Sequence, residues 1–221
     1  FDDFFGLDNA NTQLKFLYGV NDWLTLHIGR SGFQETYDLA AKYRLYAQKE
    51  NGFPVTIVGF NSVAINSELK EEDYPNLKFE NRLSYVAQVL ISRKFSDKLS
   101  LEIAPSVFHE NTLRDILDEN NTVILPNPQD NTQFAVGLGG RYKLTSRWSV
   151  NVDYAAHLNR ASQSNYKNPL SIGVDLETGG HVFQMHFTNA QAMHETGYLG
   201  QTVGDWSKGE IAFGFNLVRV F

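Results

Sequence analysis

The chain has 221 residues, 42% hydrophobic and 20% charged, with a formal charge of −6 and no cysteine. That balance suits a single domain over residues 1–221 and excludes disulfides, thiolate metal sites and a broad basic surface for nucleic acid. No segment approaches the run of about 20 apolar residues that a membrane-spanning helix requires, so a helical membrane protein is excluded too.

Apolar residues instead recur at every second position. In chain order this period predicts strands at 10–20, 23–31, 36–46, 54–65, 79–95, 99–109, 132–144, 148–157, 169–177, 181–189 and 208–221. Helical spacing is confined to Leu113, Ile116 and Leu117 in TLRDILDENN, which predicts a short helix inside a long loop. The short connections GVND, SDK, TSR and ETGG exchange regularly with longer polar ones, among them SELKEEDYPN, LNRASQSNYKNP and AQAMHETGYLGQTVGDW. Outer-membrane barrels segregate loop lengths in this way, with short periplasmic turns and longer extracellular loops.

Each strand has an apolar and a polar face. On 132–144, Phe134, Val136, Leu138, Tyr142 and Leu144 oppose Gln133, Arg141 and Lys143; on 148–157, Trp148, Val150, Val152 and Tyr154 oppose Asn151, Asp153 and His157. A two-sheet sandwich has the same alternation, so the faces alone do not separate the two folds. The aromatics favour a barrel, because Trp23, Phe95, Tyr142, Trp148 and Phe221 fall near the short-turn ends of their strands, where an interfacial girdle belongs. The terminal GEIAFGFNLVRVF points Phe213, Phe215 and Phe221 to lipid, with Arg219 snorkelling to the headgroups. Its alternating apolar residues and final aromatic resemble the signal that barrel-insertion machinery reads. Even strand numbers are the rule in bacterial single-chain barrels. The expected fold is therefore all-β: a transmembrane antiparallel outer-membrane barrel of about twelve strands, with one strand and a signal peptide preceding Phe1.

The phrases FGLDNANTQLKFLYGVNDWLTLHIGRS, TYDLAAKYRL, GGHVFQMHFTNAQAMHETGYLG and GDWSKGEIAFGFNLVRVF resemble an uncharacterised β-barrel family of Bacteroidota outer membranes, known as a numbered domain of unknown function. The resemblance implies an outer-membrane barrel with a cleaved signal sequence, and it implies no reaction. Residues 66–131 carry none of these phrases.

The polar faces give a predicted lumen: Lys15, Lys42, Arg44, Arg82, Arg141 and Lys143 against Asp38, Glu80, Glu102, Asp153, Asp175, Glu177 and Glu210. Charges in a narrow interior need partners or water, so a cross-lumen salt-bridge network is expected. The near balance of signs excludes a single-sign selectivity ring. It leaves an open and an occluded lumen both admissible.

Other constellations carry less chemistry. His186, His194 and Glu195 lack metal-ligand spacing and read as a lumen histidine and a polar loop, so no metal and no cofactor is expected. His157, Asn159, Ser162 and Ser164 resemble an outer-membrane phospholipase only loosely, since order and spacing depart from its histidine-to-serine motif and His157 shares the polar face. GLGGR lies inside a strand with no helix to receive a phosphate. The sequence thus predicts a porin-like barrel for small solutes, or alternatively a non-catalytic accessory subunit of a larger outer-membrane complex with a closed lumen. Its expected partners are the bilayer, the insertion machinery and such a complex, with no enzymatic activity and no nucleic acid.

Overall fold

The computed structural model describes residues 10–219 except 73, 75, 114, 115, 118–122 and 126. Phe221 and the expected upstream strand lie outside the described residues. The strands are β1 (Gln13–Gly19), β2 (Leu24–Ser31), β3 (Tyr37–Tyr46), β4 (Thr56–Ile65), β5 (Leu83–Lys94), β6 (Leu99–Glu110), β7 (Ile116–Leu117), β8 (Val123–Leu125), β9 (Thr132–Lys143), β10 (Trp148–His157), β11 (Leu170–Thr178), β12 (His181–Thr188) and β13 (Ala212–Arg219). Eleven of them form one antiparallel sheet in chain order, from β1 to β13, while β7 and β8 pair separately within the β6–β9 connection. Every predicted strand is present. Among the described residues β1 pairs only with β2 and β13 only with β12, so the sheet has two free edges and the eleven strands expected of residues 1–221.

Three expectations change. The helix predicted around Leu113–Leu117 is replaced by the β7–β8 hairpin, in which Ile116 pairs with Leu125 and Leu117 with Val123. The strand predicted from residue 79 begins at Leu83, because Phe79–Arg82 forms a 3-10 turn closed by the Asn81 side chain, which accepts from the Lys78 amide at 2.8 Å. The final strand begins at Ala212, after the 3-10 turn Trp206–Lys208 and a left-handed Gly209 at φ 74°. Alternation in the sequence runs past the point where ladder hydrogen bonds begin.

The short turns share a local device. Asn21 Oδ1 accepts from the amides of Trp23 and Leu24 at 3.0 and 2.9 Å, Ser96 Oγ from Lys98 and Leu99 at 3.3 and 3.1 Å, and Thr145 Oγ1 from Arg147 and Trp148 at 3.2 and 3.0 Å. A small side-chain oxygen at the start of the turn thus replaces a backbone acceptor. Between β11 and β12 the glycines Gly179 and Gly180, at φ 47° and 131°, make the reversal without side chains.

The faces distinguish this fold from a sandwich. Paired rows such as Asp38, Ala64, Ser84 and Glu110 lie on one side, and Asp38, Ser31, Gln133 and Ser149 there are at most 1% exposed. On the other side Phe16, Ile28, Leu39, Leu138 and Phe213 are 48–65% exposed. Polar inside and apolar outside is the inverse of a soluble core. It needs an apolar solvent around the outer face.

The sheet also curls. The helix α1 (Glu195–Gly200), in the β12–β13 connection, places Glu195 3.7 Å from Lys15 on β1, Thr196 3.0 Å from Ser84 on β5 and the Tyr198 hydroxyl 2.9 Å from Asp153 on β10. Six residues of helix extend about 9 Å. In a flat sheet β1 and β10, seven strand intervals apart in the pairing order, would stand roughly 34 Å from one another. One short helix reaches β1, β5 and β10 only because the sheet wraps around it.

Candidate functional site

The segment between β12 and β13 folds back into the concave interior, and Asn189 fixes its base. This side chain, 4% exposed, accepts from the Leu170 amide at 2.8 Å and donates to the carbonyls of Asn168 and Gly204 at 3.0 and 2.9 Å, joining both ends of the segment to the β10–β11 connection. Trp206 adds an indole N–H donated to Leu170 O at 3.0 Å. Asp205 accepts from the amide and hydroxyl of Ser207 at 2.9 and 2.6 Å, and this hydrogen bonding holds its carboxyl below the usual range.

Between these anchors α1 sits on an apolar seat. Leu199, 2% exposed, packs in a cluster with Val86, Phe108, Ala135 and Ala155, contributed by β5, β6, β9 and β10, with Tyr198 at its side. Gly200 lets the helix lie against the Phe108 ring, since an added Cβ would come within 2.9 Å of Cε2. His194, 3% exposed, stacks at a tilt on Phe33 with centroids 6.0 Å apart. Burial pushes its imidazole down to about 4, with Lys15 acting in the same direction and Asp38 against it. The Tyr198 phenol is pushed well above its ordinary range, first by burial and then by the Asp153 carboxylate that it bonds.

A chain of polar side chains crosses the interior at this end. Asn66 donates to Gln34 at 3.2 Å, Gln34 to Gln201 at 2.7 Å, Gln201 to Glu110 Oε1, and Gln133 to Glu110 Oε2 at 2.9 Å. A cavity of about 30 Å³ remains beside Glu110, His194 and Gln201, roughly the room of one water. On the other side of α1, towards the short turns, a cavity of about 220 Å³ is lined by Asn151, Asp153, Ser171, Asp175, Gln184, His186, Tyr198 and Asn216.

These features describe a wall with an apolar outside, a polar inside and a folded-in plug. The family model described as a membrane bound beta barrel domain (DUF5777) matches residues 1–221. The chain belongs to this family. A solved chain described as "NanC porin structure in rhombohedral crystal form" matches with a TM-score of 0.60 at 10% identity, covering 96% of this chain and 93% of that one. At that identity the likeness shows the fold alone. No curated protein matches the sequence.

In a DUF5777 barrel the exposed apolar face meets lipid. Trp23, Phe95, Tyr142 and Trp148 are exposed on it, 39–55%, at the short-turn ends of their strands. Phe213 and Phe215 also face outward but stand nearer the loop end, where Phe213 meets Phe187 edge-on at 5.6 Å. A second aromatic set at that end includes Tyr37, over whose ring Arg30 lies at 5.4 Å, together with Tyr85 and Phe134. Sequence reading had singled out only the first girdle.

The expected cross-lumen salt-bridge network is replaced by pairs along the wall and by the plug. Lys15 lies 3.9 Å from Asp38, which His27 Nε2 approaches at 3.1 Å, and Arg141 pairs with Glu177 and donates to Ser149 at 3.0 Å. Asp153 accepts from Tyr198, and Asp175 from Gln184 at 3.1 Å. Lys42, Arg44, Glu102 and Lys143 lie on inward rows and form no ion pair within 4 Å among the described residues. Three expected members lie at the mouth instead. Glu80 is exposed and 3.9 Å from Lys78, Arg82 donates to the carbonyls of Asn66 and Ser67 at 3.3 Å, and Glu210 accepts from the Asp205 amide at 3.0 Å.

The remaining candidates separate. His186 is inside β12 while His194 is buried at the plug, and His157 packs on Phe108 with centroids 5.4 Å apart. Glu110, Gln34, Gln201 and Leu199 were missed, and Gln133 was placed on the polar face without a role. Glu110 falls one residue beyond the predicted strand, and Leu199 lies in a loop whose other apolar residues, Met193 and Val203 among them, give no periodic signal.

Proposed function

We propose that this chain is a porin-like barrel of the bacterial outer membrane that passes small polar solutes, with residues 189–211 as an inward plug. The carrying observation is the polar interior, which keeps a cavity of about 220 Å³ on the short-turn side of the plug. Short turns at four of the five connections of one end, longer loops at most connections of the other and an aromatic set at each end support an outer-membrane setting. The reading includes closure of the sheet into a complete barrel, a non-enzymatic role, and contact with lipid and the insertion machinery, without nucleic acid. Placement among the barrels of Bacteroidota rests on the sequence phrases.

The second reading, an accessory subunit of an outer-membrane complex with a closed lumen, is favoured by the depth at which Leu199 is buried. Single-channel conductance of the full-length protein in planar bilayers separates the two. Reproducible steps shifted by Lys42→Gln or Glu102→Gln establish a path along the inner wall. Silence from inserted protein, persisting when the plug is released, favours the accessory role.

A further inference from the structure

The cavity on the short-turn side of the plug has a chemistry of its own. Its inward rows run across β10, β11, β12 and β13: Asn151 pairs with Gly173, Gly173 with His186, and His186 with Gly214. Glycine on both sides of His186 leaves the imidazole lying over the neighbouring backbone, where a Cβ at Gly214 would overlap the ring. The result is a smooth trough with a carboxylate toward each end. Asp153 stands by the plug, opposite Ser171, and Asp175 lies deeper, opposite Ser149. Asp153 Oδ1 accepts from Tyr198 at 2.9 Å and Asp175 Oδ1 from Gln184 at 3.1 Å. A carboxylate offers about four acceptor positions, so both retain capacity.

Among the described residues no lysine or arginine lines the cavity. The nearest inward cation in the register, Arg141 beside Asn151, is engaged by Glu177 and Ser149. The row between the carboxylates carries the Asn151 amide and the His186 imidazole, the amides of Gln184 and Asn216 extend the row of Asp175, and the Ser171 hydroxyl stands beside Asp153. Such a lining favours a ligand with a positive charge and several hydroxyl groups: the charge complements the two carboxylates and the hydroxyls match the amides. At about 220 Å³ the space lies below the roughly 300–1,000 Å³ of drug-sized pockets, which limits the occupant to a small molecule.

We propose that this trough is a binding site for a small ammonium-bearing, hydroxyl-rich solute, with the amine at Asp153 or Asp175 and the plug's Tyr198 as its roof. The inference rests on the porin-like reading for its role in passage, but the binding itself is independent of passage. Three probes of similar size and different charge test it by titration calorimetry on the full-length protein in detergent: glucosamine, neutral N-acetylglucosamine and anionic gluconate. Glucosamine is expected to bind at least about tenfold more tightly than either of the others, with affinity falling as salt is raised. Asp153→Asn and Asp175→Asn keep an oxygen for Tyr198 and Gln184 and are each expected to weaken it by about tenfold or more. Lys42→Gln, outside the lining, leaves it unchanged.

Heat-modifiable migration on a gel reports whether each variant is folded. Equal binding of the three probes, preference for gluconate, no binding of glucosamine, or indifference to both aspartate substitutions in folded protein overturns the site. Liposome uptake separates the two readings. Binding without uptake removes the porin-like role and leaves the site, and conductance without binding does the reverse.

Discussion

At the loop end of the interior, Leu199, Phe108 and the Gln201–Glu110 link leave about 30 Å³, whereas on the short-turn side of α1 the inner wall carries Lys42, Arg44, Glu102 and Lys143 around more open space, with about 220 Å³ against β10–β13. The same alternating strands make both ends. The difference comes from one connection that folds inward and supplies the partners that the upper wall needs. A polar lumen does not have to be closed by salt bridges across it, since a loop of amides and small residues is enough. The largest test is Leu199→Asp, which buries a carboxylate among Val86, Phe108, Ala135 and Ala155 at a cost on the order of 4 kcal/mol or more. The plug is expected to leave its seat, raising conductance and exposing residues 190–205 to protease while heat-modifiable migration persists. Unchanged conductance with released plug residues would break the link between plug and passage.

A second comparison concerns the two faces of the wall. Val152 faces outward in the middle of β10 and is 43% exposed, while its neighbour Asn151 faces the interior. Val152→Arg places a guanidinium in the apolar band and is expected to cost about 2–4 kcal/mol in urea-induced unfolding from lipid vesicles, with Asn151→Arg costing clearly less. Equal losses at both positions would overturn the assignment of inside and outside.

Much of this was legible in sequence because period-two alternation is a local property, and all eleven sheet strands follow from it. The alternation could not say where the hydrogen-bonded ladder stops. Glu80 and Glu210 continue the pattern visually, but the turns at Phe79–Arg82 and Trp206–Lys208 remove them from the wall. The β7–β8 hairpin likewise defeated a helical spacing that rested on three residues. The plug was illegible for a different reason. Six residues of helix have no autonomous stability, and α1 exists through contacts with strands distant in sequence, Asp153 at 45 positions, Ser84 at 112 and Lys15 at 180.

Acid sharpens the contrast between the ends. Burial holds His194 near 4, below its ordinary 6.5, so the seated plug binds fewer protons than a released one. Above about pH 6.5 nothing is lost. Between 6.5 and 4 seating weakens as pH falls, by about 2 kcal/mol at pH 5, and below 4 the loss is constant. Conductance at pH 5 is therefore expected to exceed that at pH 7.5, and His194→Gln should remove the part of the step that this group carries. An undiminished step in the variant would assign the transition to other groups of the mouth.

The smallest effect is expected where sequence and structure disagree most plainly. Glu80 and Glu110 both lie at the loop end, Glu80 in the 3-10 turn that precedes β5 and Glu110 as the last residue of β6. Glu80 is solvated opposite Lys78, and an exposed pair of that kind contributes little because water screens both charges. Glu110, 5% exposed, is the acceptor on which Gln133 and Gln201 converge, so its removal leaves the buried Gln133 and the half-buried Gln201 without their acceptor. Glu80→Ala should leave unfolding midpoint, protease pattern and conductance within scatter, while Glu110→Ala should loosen the plug and raise conductance. If Glu80→Ala altered conductance as much as Glu110→Ala, the charge at the mouth rather than the seating of α1 would control the path.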